Sequence, residues 1–167
     1  SFSVAGQDTI PLDLTFSPDG TKMFVVGFAG DDINEYTLTT GFDVSTASFV
    51  DSFSVSSQTT QPSAVAFNTD GTKMFVSDNI NDSVHQYTLS TGFDVSTASY
   101  DSVSFSVASQ DGSPSGLTFS PDGTKMYIVG DDNKTIYQYT LSSAFDLSTA
   151  SYASLSLNVS AQDSNPQ

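Results

Sequence analysis

The chain has 167 residues, 37% of them hydrophobic and 14% charged, enough for one compact domain with a sizeable core and too few for two. Nineteen acidic residues against four basic ones give a formal charge of −15, which argues against any partner with a phosphate backbone, and so against nucleic acid. The absence of cysteine excludes disulfides, thiolate metal sites and a cysteine nucleophile, while a single histidine removes the usual agent of acid–base and metal chemistry.

No apolar run reaches membrane-spanning length. The opening Ser1-Phe2-Ser3-Val4, with neither Met nor a basic leader, reads as a start inside a longer chain rather than as a signal peptide. Those four residues also begin a repeat. Ser-Phe-Ser-Val stands at 1, 52 and 104 and returns as Ser156-Leu157-Asn158-Val159, so the units run 1–51, 52–103 and 104–155, with a partial fourth over 156–167. Gln7, Gln58, Gln110 and Gln162 keep the same phase, as do Pro11, Pro62, Pro114 and Pro166.

Each unit reads as four short strands. After the proline, Leu14 and Phe16 alternate with Asp13 and Thr15, the period of a strand with one bulky and one small face; Val65/Phe67 and Leu117/Phe119 repeat it. Ser17-Pro18-Asp19-Gly20, Asn68-Thr69-Asp70-Gly71 and Ser120-Pro121-Asp122-Gly123 follow as hairpin turns, with glycine supplying a positive φ. The second strands, Met23-Phe24-Val25-Val26 and its counterparts from Met74 and Met126, are apolar on both faces and predict a covered middle layer. Loops rich in Asp, Asn and Gly lead to third strands at 33–38, 84–89 and 136–141, with Tyr36, Tyr87 and Tyr139 in phase. A loop from Gly41 to Ser48 precedes the fourth strand. That strand gains a residue in units two and three, where Tyr100 and Phe105 are five apart against four for Phe49 and Phe53, which predicts a bulge there.

Four antiparallel strands per unit of about fifty residues, without helical periodicity, predict an all-β chain: a β-propeller segment of three four-stranded blades. The runs Phe16 to Val25 and Phe119 to Ile128 resemble the blade signature of WD-repeat-like, YVTN and lactonase-like propellers. The longer stretch from Tyr87 to Tyr100, continued by Ser104-Phe105-Ser106-Val107, is similar to tandem repeats in large proteins of marine bacteria and their phages. The resemblance covers the whole chain and implies a fold, not an activity, since propellers host enzymes, binders and scaffolds alike. The chain lacks the His and Arg groups of the enzymatic members.

In such a blade the loops from strand 4 to strand 1 and from strand 2 to strand 3 share one face. That face collects Asp8, Asp111 and Asp163 along with Asp31, Asp32, Asp78, Asp82, Asp131 and Asp132; the last six are the candidate binding residues, relieved only by Lys134. Such loops offer oxygen ligands to hard cations, yet they lack cage spacing, and Asp and Asn also favour turns, so no metal or other cofactor is expected. Asp13, in place of Ala64 and Gly116, is the candidate channel residue. His85 stands where the sister units have Asn34 and Tyr137 and reads as a surface strand residue. The series Phe42, Phe93 and Phe145 reads as blade packing rather than as a binding stripe. No serine has a nucleophile elbow or a nearby base, so no catalytic residue is assigned.

These features predict a non-catalytic scaffold or binding module of an extracellular, cell-surface or virion protein, with a protein or glycan as its ligand. Two other readings stand beside it: a divalent-metal hydrolase or lyase of lactonase-like type, and a lectin-like propeller, to which Phe28 would contribute. Three blades fall below the usual four to eight, so self-association is expected, as a homodimer of six blades or a longer array. Ser156 to Val159 are expected to complete the third blade, and Ser1 to Val4 to pair across a boundary with another copy or to continue an upstream strand.

Overall fold

The computed structural model describes residues 2–163 and Pro166. Twelve strands form three antiparallel meanders: β1 (Pro11–Phe16), β2 (Lys22–Gly27), β3 (Asp32–Leu38) and β4 (Ala47–Ser54); β5 (Pro62–Phe67), β6 (Lys73–Asp78), β7 (Ser83–Leu89) and β8 (Ala98–Ser106); β9 (Pro114–Phe119), β10 (Lys125–Gly130), β11 (Thr135–Leu141) and β12 (Ala150–Asn158). Each sheet keeps its strands in chain order, and β1, β5 and β9 lie side by side as the innermost strands. The proline that opens each inner strand costs no ladder bond at an edge.

Two apolar layers hold the three blades together. Between blades 1 and 2 lie Phe24, Val26, Ile33 and Val55 from the first and Val65, Met74, Tyr87 and Val95 from the second. Phe75, Val84 and Val107 meet Met126, Ile128, Tyr139 and Leu147 in the same way between blades 2 and 3. The phased aromatics have fixed places in these layers. Phe53 sets its edge against Tyr87 at 5.7 Å, and Phe105 against Tyr139 at 5.4 Å. The hydroxyls of Tyr36, Tyr87 and Tyr139 donate to Gln7, Gln58 and Gln110, which accounts for the recurrent glutamine. Burial raises the Tyr36 hydroxyl to about 12, and Tyr87 and Tyr139 shift upward for the same first reason.

The loop before each fourth strand contains a single 3-10 turn, Val44–Thr46, Val95–Thr97 or Leu147–Thr149, where the sequence showed only a loop. Asp43, Asp94 and Asp146 cap these turns by accepting from the N–H of Ser45, Ser96 and Ser148. The turns of blades 2 and 3 each dock on the preceding blade through one polar bond. Glu35 Oε2 accepts from the Val95 N–H at 2.9 Å, and Gln86 Oε1 from the Leu147 N–H at 2.8 Å. Lys22 neutralises the buried Glu35 at 2.7 Å and donates onward to the Phe93 carbonyl of blade 2.

All three fourth strands are bulged, not only the two expected. Val50 is the one extra residue in β4, whereas β8 and β12 each insert two, Asp101-Ser102 and Ala153-Ser154. The longer bulges need a left-handed residue, and Ser102 and Ser154 adopt φ of 57° and 56°. Beyond its bulge β12 pairs Ser156 with Tyr137 and Leu157 with Ile136, so the returning segment does complete blade 3. Phe2 to Val4 lie in no strand; the Phe2 ring rests edge-on against Tyr36 at 5.5 Å. Ser1, Ser164, Asn165 and Gln167 of the two terminal segments lie outside the described residues.

Candidate functional site

The acidic face is built around one repeated clamp. In blade 1, Asp8 leans over Gly27 and accepts from the N–H groups of Ile10 and Gly30, tying the loop that enters β1 to the loop between β2 and β3. Asp111 leans over Gly130 and does the same for Ser113 and Asn133. A β-carbon on either glycine would lie 2.2 Å from the carboxylate, so the strand end must be glycine.

Blade 2 reverses the arrangement. The loop position holds Thr59, and the strand end holds Asp78. Thr59 takes the Gln61 N–H and donates its hydroxyl to Asp78 at 2.7 Å, while Asp78 takes the N–H groups of Ile80 and Asn81. The two residues together make the bonds that one aspartate makes elsewhere. Asp78 is fully buried and also meets His85 Nε2 at 3.0 Å, and the other ring nitrogen lies 3.5 Å from the Tyr100 hydroxyl. Burial pushes the Asp78 carboxyl up. The hydrogen bonds from His85, Asn81, Thr59 and the Ile80 N–H outweigh that and hold it far below the usual carboxylate range.

His85 is therefore 7% exposed, not a surface residue. That position is buried in every blade, as Asn34 and Tyr137 show; a histidine fills it in blade 2 because a carboxylate stands where the sister blades have glycine, and a buried carboxylate needs donors.

The other candidates fall into separate local groups. Asp31 and Asp82 occupy the left-handed corner of their loops, with φ of 49° and 48°, and Lys134 holds that corner in blade 3. Asp32 accepts from the Asn34 amide at 2.7 Å; burial is the main force raising its carboxyl. Asp131 pairs with Lys134 at 2.7 Å. Asp82 and Asp132 both approach Gly112, and Asp82 is raised first by desolvation and then by the charge of Asp132. Among the described residues no three His, Asp or Glu side chains are arranged to hold a metal ion.

Asp13 is on the inner strand beside a 370 Å³ cavity where β1, β5 and β9 converge. Its carboxylate is spent between blades, accepting from the Leu14 N–H and from the Val65 N–H of blade 2, and desolvation raises it. The three phenylalanines lie over the turn glycines, as blade packing requires: Phe93 against Phe24 and Phe67, Phe145 against Phe75 and Phe119, and Phe42 against Phe16 alone. Lys22 and Lys73, beside the first two turns, reach along the sheet to Glu35 and Asp101, while Ser17 and Thr21 hold the Asp19 carboxylate.

The pairing of Thr59 with Asp78 escaped sequence reasoning, although its signal was present: across the three units, aspartate in the loop goes with glycine at the strand end, and threonine with aspartate.

Among solved structures, the chain is similar to the periplasmic gluconolactonase of Pseudomonas aeruginosa, at 15% identity with a TM-score of 0.58, over 89% of this chain and 40% of that one. The fold is that of a β-propeller. A Bacteroides fragilis protein assigned as a 6-phosphogluconolactonase matches over 89% of this chain and 39% of its own, at 14% identity and a TM-score of 0.62. The β-propeller domain of Cps50 (Swd1) from Myceliophteria thermophila matches over 89% and 43%, at 11% identity and 0.56. The chain thus spans about two fifths of the length of these propellers, and the likeness is one of fold. No protein-family model and no curated protein matches the chain.

The crowding at Asp82 has a measurable consequence. A carboxyl raised in the fold favours folding below its ordinary value of 3.8 and loses that contribution as pH rises through the raised value, so at neutral pH it opposes the fold. Asn tolerates the left-handed corner. Asp82→Asn should therefore raise Tm at pH 7 by about 1–2 °C, with the gain vanishing below about pH 3.5; thermal melts across that range check it.

Proposed function

We propose that the chain is a non-catalytic propeller module that presents a rigid acidic loop face to a protein or glycan partner, as part of an extracellular, cell-surface or virion structural protein. The observation that supports this most is how the deepest polar groups are used. Asp8, Asp78 and Asp111 are consumed by the chain's own backbone N–H groups, and the one histidine is consumed by Asp78. A general base must reach a substrate proton, and a group locked into a loop clamp does not. The charge of −15 further disfavours anionic substrates, which a cleft of one sign repels.

The likeness to a gluconolactonase favours a second reading, lactone hydrolysis. One assay separates the two. Purified chain is mixed with glucono-δ-lactone, with and without calcium, magnesium or zinc, and acid release is followed. The scaffold reading expects the buffer rate throughout. Turnover above buffer that falls with Asp32→Asn, Asp82→Asn or Asp132→Asn would establish the hydrolase instead.

A further inference from the structure

The two outer faces of the three-blade stack are halves of a contact that the chain already makes twice within itself. At both internal junctions the 3-10 turn of the following blade buries its first residue: Val95 is 0% and Leu147 1% exposed, but the equivalent Val44 of blade 1 is 43% exposed. Around Val44 the groove is open at about 500 Å³, with Leu14, Met23 and Val25 on its walls. Leu14 and Phe42 are exposed at 52% and 60%, whereas the matching Val65 is buried.

The opposite outer face shows the complementary half. Tyr127 and Ile136 of blade 3 stand where blades 1 and 2 bury Phe24/Phe75 and Ile33/Val84. Leu155 and Leu157, more than half exposed, hold the positions of Val103 and Phe105, which pack into the junction of blades 2 and 3. Gln138 holds the position from which Glu35 and Gln86 accept the N–H of the next 3-10 turn.

We propose that blade 3 of one copy seats on blade 1 of a second copy, Gln138 accepting from the Val44 N–H, and that two such junctions close two chains into a ring of six blades. The occupant is identified by register: the surface that fits blade 3 is a blade of this repeat, and blade 1 offers that surface unfilled. This inference is independent of whether the module is catalytic.

The junction also dictates an exchange. Residues 2–11 already cover part of blade 1, with Phe2 on Tyr36, Gln7 on the Tyr36 hydroxyl and Asp8 over Gly27. Leu157, Val159, Gln162, Asp163 and Pro166 carry the same pattern at the same spacing. The Pro166 carbonyl accepts from Ser115 as the Pro114 carbonyl accepts from Ser63, so Pro166 stands where the inner strand of a next blade would begin. In the ring the partner's Leu157, Val159, Gln162 and Asp163 take the places of Phe2, Val4, Gln7 and Asp8 and remake their contacts.

Sedimentation equilibrium of the chain, and of two surface variants, tests the proposal. The chain should be a dimer. Val44→Asp and Leu155→Asp place a charge on opposite outer faces, at positions exposed enough to leave each protomer folded, which circular dichroism checks. Each variant alone should lose at least a hundredfold in affinity. An equimolar mixture should recover a dimer, because it restores one intact junction. Should either variant unfold, Val44→Cys mixed with Gln138→Cys should form an interchain disulfide in a protein with no other thiol. Deleting residues 1–7 should leave association intact or strengthen it. A chain monomeric at about 100 µM, or a dimer indifferent to Val44→Asp, would overturn the proposal. A dimer lost in one variant alone and not recovered on mixing would show a face-to-face contact and overturn it too.

Discussion

Asp78→Gly should lower stability by about 3–5 kcal/mol, a fall in Tm of roughly 10 °C, and Thr59→Asp added to it should restore most of the loss. The single change removes the acceptor for the Thr59 hydroxyl, the Asn81 side chain, two backbone N–H groups and His85 in a site that water does not reach. Each unmet buried donor costs about 1–3 kcal/mol, and the added glycine entropy about 0.5–1. The double variant recreates the arrangement of blades 1 and 3, in which a loop aspartate leans over a strand glycine and takes the third N–H of the following loop. That N–H belongs to Gly30, Asn81 or Asn133 in the three blades. Denaturant melts of the four members of the cycle should give a coupling of about 2–3 kcal/mol. Additive losses would mean that the two arrangements are not equivalent. The same clamp sets an acid limit. Asp78 is held low in the fold, so its contribution is complete above about pH 4 and is lost as pH falls toward the folded value.

The legible part of this protein is what the repeat enforces. A residue that recurs in phase has the same neighbours in every blade, so the turn glycines, the tyrosines and the covered second strands could be placed from the sequence alone. Departures from the repeat were harder, because each is explained by a second departure elsewhere. His85 looked like a surface substitution since it matched neither Asn34 nor Tyr137; its reason is Asp78, seven residues earlier, and behind that Thr59. The 3-10 turns were hidden for a different reason: one turn of helix is too short to show a period, and only the Asp-x-Ser cap marks it. Unit lengths show only that the bulges of units two and three are one residue longer; the bulge at Val50 leaves no length difference of its own to detect, because every unit is bulged. The candidate aspartates sit in and beside the loops between the second and third strands. Three of them answer to their own loops, Asp32 to the Asn34 amide, Asp78 to the Ile80 and Asn81 N–H groups and Asp131 to Lys134, whereas Asp82 and Asp132 come together from two blades near Gly112.

Gly71→Ala should cost about 3 kcal/mol and Gly20→Ala only about 1, although the two glycines have the same place in the repeat. Their backbones are alike, with φ of 72° and 70°, so the penalty for a left-handed alanine is common to both. The rings above them are also alike in position: a new β-carbon would lie 2.3 Å from Phe93 in one blade and 2.3 Å from Phe42 in the other. What differs is where the ring can go. Phe93 is held between blades 1 and 2 by Phe24 and Phe67, so moving it opens the junction; Phe42 touches Phe16 and is 60% exposed, so it swings into solvent. The difference of about 2 kcal/mol therefore measures the packing of one blade upon the next, separated from the strain of the turn. It also bears on the proposed ring. In a two-chain assembly Phe42 is covered by Tyr127 of the partner, and Gly20→Ala then acquires the larger cost, read as weakened association at low protein concentration. Equal losses for Gly20→Ala and Gly71→Ala in a chain kept monomeric would show that the strain resides in the turn and that the ring above it contributes nothing.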